Sequence, residues 1–401
     1  MQGDDNMANK VRVAVLFGGL SSEHDVSVCT GLEALQALDP NLFEAFPVYI
    51  GLDGQWWVGD ALRDIKSYIP DAAVKRTLTR VAFCAGNARE KGAWVLRAVS
   101  QPMFGKAQVF PFDVALPTLH GTWGEDGTLQ GLLAAEGVPM ACGGVGPMGL
   151  TINKMWTLHE AMVREIPVLS SMLVRRGDVL DAATATKALG KFPLFIKPNT
   201  LGSSMGAHKV DNEEELQAAL ADVFRLDTAA LVQPCVPNLV EYNVAVRRKP
   251  DGTVVTSAIE RPLRKGELLS FEDKYAHSGT NKLTSNNASM ATMDRELNPK
   301  ELGMRAVSIR TWAEQLFVGL ELSGAPRLDF LCNEKTGDIW FNEINPIPGG
   351  LGWFLWGAAP EAISFTDLLT DMVTEAQART RTHARVVDPV STGGAIFGKR
   401  G

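Results

Sequence analysis

A lysine that ends an apolar run, and two carboxylates with an amide close behind, are the side chains of this sequence best placed to do chemistry. Lys197 closes the run FPLFIK and is followed, after Pro198, by NTLGSSMG at residues 199–206. A lysine in that position is costly to bury unless it meets an anion. The Gly/Ser loop after it offers free backbone N–H groups and the hydroxyls of Ser203 and Ser204, which suits a phosphate cradle, although such a loop taken alone is more often an ordinary turn. It is not a Walker loop, because no Gly-Lys-Ser/Thr follows at the required spacing.

Asp329 lies in the run RLDF, and Glu343 and Asn345 stand two apart in NEIN, so on an extended strand these last two share a face. A hairpin turning at Lys335-Thr336-Gly337 would bring all three together. Carboxylate and amide oxygens are hard donors of the kind Mg²⁺ accepts when phosphate oxygens complete its shell. Alone, they would serve equally as edge-strand groups facing water. With a phosphate loop upstream, a Mg-nucleotide site is the better explanation.

Positioning these groups requires several small α/β units. Residues 11–17 (VRVAVLF) form a β-rich run ended by Gly18-Gly19, and a helical period follows over 26–38. Residues 45–50 and 113–117 lack clean alternation and read as buried parallel strands, with a helix over 128–136. Further on, a helix at 154–164 ends near Ile166-Pro167, and strands at 192–197 and 229–233 flank a helix at 213–224. From residue 240, alternating strands (YNVAVRR, TVVTSAI) precede a polar stretch over 271–289, a length of loop that is usually functional or disordered. A long helix over 299–320 leads into the hairpin, and the tail after residue 385 is expected to cap the surface.

In order along the chain stand SEHDVS after Gly18-Gly19, His120-Gly121 with GEDG, Lys154, Lys197-Pro198 with GSSMG, Asp273-Lys274-Tyr275, Arg327-Leu328-Asp329, and NEIN with Pro348-Gly349. This series, spanning residues 11–350, resembles the D-alanine–D-alanine ligases. The resemblance implies an α/β chain with the three-domain ATP-grasp fold. An N-terminal α/β substrate domain would occupy 1–142, a central ATP-grasp lid domain 143–233 and a C-terminal ATP-grasp catalytic domain 234–401.

By the same resemblance, ATP is clamped between the last two domains. Lys154 and Lys197 would bind its phosphates, with the backbone of Ser204, Met205 and Gly206 closing over them; Ser203 and Lys274 would join the ATP site, and Glu241 would hold the ribose. Where the family carries an acidic pair near the adenine, this chain reads Gln233-Pro234, which leaves that contact to backbone and Gln233. Asp329, Glu343 and Asn345 would bind two Mg²⁺ ions, with Mn²⁺ able to substitute. Glu23, linked through Ser203 to Tyr275, would receive the ammonium of a first D-amino acid, and His120 would lie near its carboxylate. Read without the family, Glu23 is an acid favoured at a helix N-terminus and His120 a turn histidine. Arg327 and the backbone N–H near Gly350 would donate to a tetrahedral oxyanion, and such a donor contributes about 3–4 kcal/mol in a dry site. The polar stretch with Lys274-Tyr275 would be a closing lid.

The pattern departs after Pro348-Gly349. The family continues with an aromatic residue or Met, then Thr, then a Ser that binds the second substrate's carboxylate. This chain reads GLGWFLWG, has no Ser or Thr between Asn345 and Ser364, and places Phe354 where the serine belongs. A carboxylate that loses a hydroxyl partner there forfeits about 1.5–3 kcal/mol. Trp353 and Trp356 either make the site apolar or pack in the core.

Composition agrees with a soluble globular protein of two to three domains: 401 residues, 45% hydrophobic, 21% charged, net charge −7. The lack of a basic excess excludes a general nucleic-acid binder and disfavours a membrane-surface role. Five scattered cysteines without zinc spacing, and a polar N-terminus unlike a signal peptide, fit a reducing, cytoplasmic setting. The expected activity is an ATP-dependent carboxylate–amine ligase acting on small molecules: a D-amino acid, D-alanine first, and a second amine. A homodimer is expected, and the product would be the peptidoglycan dipeptide or an altered one of specialised metabolism. A catalytically silent ATP-binding sensor and a D-alanine–hydroxy-acid ligase are the alternatives. A dinucleotide oxidoreductase is weak, since GGLSSE after Phe17 lacks the G-x-G-x-x-G fingerprint.

Overall fold

The computed structural model describes residues 10–68, 76–84, 88–100, 108–263 and 294–386. The first unit is built on β1 (Val11–Gly18), a strand whose Val13, Ala14, Val15 and Phe17 are fully buried. Helix α1 (His24–Ala37) carries the chain to β2 (Phe43–Ile50), which pairs parallel with β1. A wall of short antiparallel strands follows: β3 (Trp56–Val58), β4 (Thr79–Ala82), β5 (Arg89–Glu90), β6 (Ala93–Ala98) and β7 (Val109–Phe112). Then β8 (Val114–Pro117) returns parallel to β1 on its other side, giving the order β5-β6-β4-β3-β2-β1-β8 with β7 against β6. Both runs expected as buried parallel strands are present, one on each side of β1. The antiparallel wall was not foreseen, because its strands are two to six residues long and too short to show a period.

Three helices lead into the second unit: α2 (Thr128–Ala135), α3 (Val145–Thr151) and α4 (Lys154–Val163). Its sheet combines β9 (Met172–Arg175), β10 (Leu194–Pro198), β11 (His208–Val210) and β12 (Ala229–Pro234) in the antiparallel order β11-β10-β12-β9. Helices α5 (Ala182–Leu189) and α6 (Glu213–Leu226) seal one face, through Ala185, Leu189, Leu216, Leu220 and Val223.

The third unit is an antiparallel sheet of five strands, β15-β14-β13-β16-β17. They are β13 (Leu239–Arg248), β14 (Val254–Pro262), β15 (Arg295–Leu297), β16 (Arg327–Asn333) and β17 (Ile339–Asn345). Helix α7 (Met304–Gly319) buries Ile309, Ala313, Leu316 and Phe317 against Tyr242, Val244, Leu328 and Phe330. Strand alternation then sends Glu241, Asn243, Arg327, Asp329, Glu343 and Asn345 to the opposite face. The helix expected from residue 299 starts later, after a 3₁₀ turn at Lys300–Leu302 and Gly303 at φ +49°.

Two helices close the described chain, α8 (Trp353–Trp356) and α9 (Phe365–Val386). No element was expected over 357–385. There α9 packs Leu368, Leu369, Met372 and Val373 into the core of the first unit, next to Val13, Ala115 and Met140. The last segment thus locks the first and third units together. Arg379 adds hydrogen bonds to the carbonyls of Met140 and Cys142, each at 2.9 Å.

Candidate active site

The polar face of the third sheet, the loop after β10 and the N-terminus of α1 enclose two adjoining cavities. The larger, about 620 Å³, lies between the second and third sheets. The smaller, about 80 Å³, lies against the first unit. Gly202, Glu241, Asp329 and Glu343 line both.

Lys154 opens α4, whose N-cap Asn153 accepts a hydrogen bond from the Trp156 N–H at 3.1 Å. Asn199 ties this helix to the loop, its carbonyl taking the Lys154 N–H and its Oδ1 the Met155 N–H, both at 3.0 Å. The Lys154 ammonium donates to the Leu201 carbonyl and stands 3.5 Å from a Glu343 oxygen. Lys197 sits on β10 and donates to Asn342 Oδ1 at 2.8 Å. Burial lowers its ammonium to about 8, against the pull of Glu343. Two buried lysines therefore face one end of the large cavity, the arrangement that a chain of phosphates neutralises.

The loop over them is strained. Ser203 and Ser204 both take left-handed φ values, +54° and +57°, before Gly206 at +65°. Non-glycine residues in that region cost free energy and concentrate at ligand clamps. Thr200 anchors the loop through its N–H and hydroxyl, 2.7 and 2.9 Å from Asp227 Oδ2. Farther along the cavity, Phe195, Leu169 and Leu331 provide an apolar slot, and Gln233 is held there by its amide, which donates to Ser171 Oγ at 2.9 Å. Met205 and Glu241 also line the cavity, so of the residues expected at the nucleotide Lys154, Lys197, Ser204, Met205, Gln233 and Glu241 share it, whereas Ser203 lines the small cavity.

Asp329, Glu343 and Asn345 converge on the hairpin, with Asp329 opposite Glu343 in the β16–β17 register. Asn345 donates to Asp329 Oδ2 at 2.9 Å, and Arg327 grips Asp329 with two N–H groups at 2.7 and 2.8 Å. Burial raises the Asp329 carboxyl and Arg327 opposes it. Among the described residues no cluster of three His, Cys, Asp or Glu side chains forms a cation site. The set is two carboxylates and an amide, a hard-oxygen set that fits Mg²⁺ once phosphate oxygens join it.

In the small cavity, Ser203 donates to Glu23 Oε1, joining the loop to α1. Gly121, at φ +69°, admits this contact, since a Cβ there would lie 2.8 Å from Glu23 Oε2. His120 is buried and its imidazolium disfavoured. A neutral ring can accept the Thr30 hydroxyl at its Nε2, 3.0 Å away. Thr30 Oγ1 in turn accepts the Gly350 N–H at 3.1 Å. That N–H, expected to serve an oxyanion, is committed to Thr30 in this conformation. Arg327, the other donor expected there, lines the cavity.

Phe354 lines the small cavity, whereas Trp353 and Trp356 do not. Trp356 is 1% exposed, and Trp353 stacks on Phe365 with ring centroids 6.0 Å apart. Of the two readings of the tryptophans, core packing is the one realised. Gly350, Leu351 and Gly352 form a left-handed turn, φ +58°, +53° and +64°, that delivers Phe354 to the cavity. Lys274 and Tyr275 lie outside the described residues.

Several lining residues were not foreseen. Glu125 accepts the N–H groups of Gly121 and Ile347 at 2.8 and 3.1 Å, and burial, with Glu23 nearby, pushes its carboxyl up to about 8. Its place in GEDG was visible, but the depth of its burial was not. Asn243 and Glu260 also line the cavity. Strand period places Asn243 beside Glu241, a signal that was available.

The comparisons with known proteins agree with this geometry. Family models described as D-ala D-ala ligase N-terminus and C-terminus match residues 12–143 and 163–374. D-alanine–D-alanine ligase A of Bradyrhizobium diazoefficiens is 34% identical, over 92% of this chain and 95% of that protein. The D-alanine–D-alanine ligase structure from Coxiella burnetii superposes with a TM-score of 0.76 at 23% identity, covering 94% of this chain and 97% of the other. VanG D-Ala:D-Ser ligase from Enterococcus faecalis gives 0.74 at 22%, covering 92% and 99%. Among the described residues no helix is long and apolar enough to cross a membrane. The motif series, the three sheets and these matches lead to one conclusion: the chain belongs to the D-alanine–D-alanine ligase family, ATP-dependent carboxylate–amine ligases with the ATP-grasp fold.

Proposed function

We propose that this chain phosphorylates the carboxylate of D-alanine with ATP and couples the acylphosphate to a second small amine, giving D-alanyl-D-alanine or a close variant. The observation that carries this reading is the meeting, on one sheet face, of two buried lysines, the Asp329–Glu343–Asn345 set and the Glu23–Ser203 contact. The first group suits phosphates, the second a hard cation and the third an ammonium, in the order a carboxylate-activating enzyme needs.

A carboxylate is a poor electrophile because an amine cannot expel oxide from it. Its oxygen attacks the γ-phosphorus, ADP departs, and the carbonyl then carries phosphate as a leaving group. Lys154 and Lys197 hold the phosphates in line and offset their charge, which is most of what phosphoryl transfer asks of a protein. Asp329, Glu343 and Asn345 would hold Mg²⁺, two ions in our reading, which supplies charge neutralisation between the phosphates and the incoming carboxylate. Glu23, oriented by Ser203, fixes the first substrate's ammonium, and neutral His120 borders its carboxylate. When the amine attacks, Arg327 donates to the oxyanion and phosphate leaves with the former carboxylate oxygen.

The domain limits 1–142, 143–233 and 234–401, the homodimer and the cytoplasmic setting belong to the same reading. VanG D-Ala:D-Ser ligase, which shares the fold, makes D-serine an acceptor worth offering beside D-alanine. The test is chromatography with mass spectrometry of a reaction holding ATP, Mg²⁺ and D-alanine, with D-serine and D-lactate added in parallel. A new dipeptide with stoichiometric ADP is expected. A D-lactate product alone would move the assignment to depsipeptide synthesis. ATP binding without any product would make the chain a nucleotide-binding sensor.

A further inference from the structure

The acidic row of the third sheet does not stop at the cation set. Glu343, Asp329, Asn243 and Glu260 are directly opposite one another on β17, β16, β13 and β14. Directly opposed residues share a face, so the four side chains form one polar row about 14 Å long at ordinary strand spacing. Its first half lies at the lysines. Its second half lines the small cavity beside Phe354.

That second half is built, not incidental. Asn243 and Glu260 are each 6% exposed. The Asn243 amide donates to Glu260 Oε2 at 3.2 Å, and Arg295 pairs with Glu260 Oε1 at 3.1 Å. The Arg295 guanidinium lies 3.8 Å over the Phe354 ring, fixing both lining side chains from behind. Asn243 Oδ1 is buried and has no hydrogen-bond partner among the described residues. A buried amide oxygen without a donor is costly, and Asn243 is one of the residues lining the small cavity.

We propose that Asn243 and Glu260 bind the amine of the second substrate, Asn243 Oδ1 and the Glu260 carboxylate accepting its N–H groups, with Arg295 as a positioning residue that holds Glu260 and Phe354. The wall consists of hydrogen-bond acceptors and an aromatic edge, so it selects an acceptor by its donor end. Bound there, the amine is held on the same row as Asp329, along which the activated carboxyl must lie. This inference rests on the ligase reading above.

The test separates the two. Hydroxylamine, which is small enough to attack the acylphosphate without a subsite, is offered with ATP, Mg²⁺ and D-alanine as the first substrate; D-alanine, D-serine and glycine are then titrated as acceptors. In Asn243→Leu and Glu260→Gln, hydroxamate formation should stay near wild type while the acceptor KM rises about tenfold or more, the size expected for a lost charge-assisted bond. Arg295→Lys should keep most acceptor affinity and Arg295→Met should lose it. Because either substitution could disturb the row, Asn243→Ser serves as a small hydrogen-bonding control that should fall between. Equal losses in hydroxamate and dipeptide would overturn the inference, as would unchanged acceptor KM in both variants. A wild type that forms hydroxamate but couples none of the three amines would overturn it too. A wild type that forms no hydroxamate defeats the ligase reading itself.

Discussion

At the phosphate end of the cleft, Lys154, Lys197, Asp329 and Glu343 arrive from four different elements and meet as alternating charges. At the acceptor end, Asn243, Glu260, Arg295 and Phe354 are held by one another, through an amide, an ion pair and a ring face. The first end is poised for a highly charged ligand: its buried lysines donate to the Leu201 carbonyl and the Asn342 amide, with a Glu343 oxygen 3.5 Å from Lys154. The second is already packed and leaves about 80 Å³. Activation chemistry tolerates little variation, because the γ-phosphate and a carboxylate are the same in every turnover. Acceptor choice needs only a wall, and a wall can be rebuilt with other side chains.

If the ends are separable in this way, substitutions should divide cleanly between them. The largest effect is expected for Lys197→Met, which removes a phosphate donor in a dry site. Steady-state rates should fall about 10²–10³-fold, and hydroxamate formation should fall with dipeptide formation. A loss confined to the dipeptide would break the distinction. Ser203→Ala comes next. Without its hydroxyl on Glu23, the KM for the first D-alanine should rise about 10- to 100-fold, with the KM for ATP little changed, as read from initial rates.

Phe354→Ser probes the other end. It restores the family's hydroxyl and removes the ring under Arg295, a contact worth about 0.5–2 kcal/mol. Hydroxamate yield should hold, the D-alanine acceptor KM should fall severalfold, and the melting temperature should drop by a few degrees. A hydroxamate yield that falls with this variant would mean the ends are coupled.

The last effect is on stability and not on turnover, and it concerns Glu125, between the two ends. Its folded carboxyl, raised to about 8, stays protonated over a range where the unfolded group, near 4.5, is ionised. The folded state therefore binds more protons between those values, and the stability tied to this group is present at low pH and lost as pH rises toward 8. Glu125→Gln stays neutral throughout. Its melting temperature should gain on wild type from pH 5.5 to 8.5, by calorimetry. A constant difference would show that Glu125 is ionised in the fold.

The same contrast governs what could be read from the sequence. Lys197, Asp329, Glu343 and Asn345 were legible because each breaks an apolar strand, and strand period two then fixes which face they take. The parallel strands beside β1 were legible as unbroken apolar runs. Arg295 was not, since nothing local ties it to Glu260, thirty-five residues earlier on the neighbouring strand. Gly350-Leu351-Gly352 showed two glycines but not that Leu351 would share their left-handed turn. Nor did it show that the Gly350 N–H would be taken by Thr30 on α1. The antiparallel wall β3–β7 and the return of α9 to the first core are long-range packing outcomes. Propensity in a short window does not report them.

Carboxylate activation independent of the acceptor wall is tested most directly by oxygen transfer. D-alanine labelled with ¹⁸O in its carboxylate is turned over with ATP and Mg²⁺ by wild type and by Phe354→Ser, and the inorganic phosphate is weighed by mass spectrometry. One labelled oxygen per phosphate is expected from both proteins, whatever acceptor each prefers. Unlabelled phosphate from the wild type would mean that ATP is cleaved by water and that no acylphosphate forms.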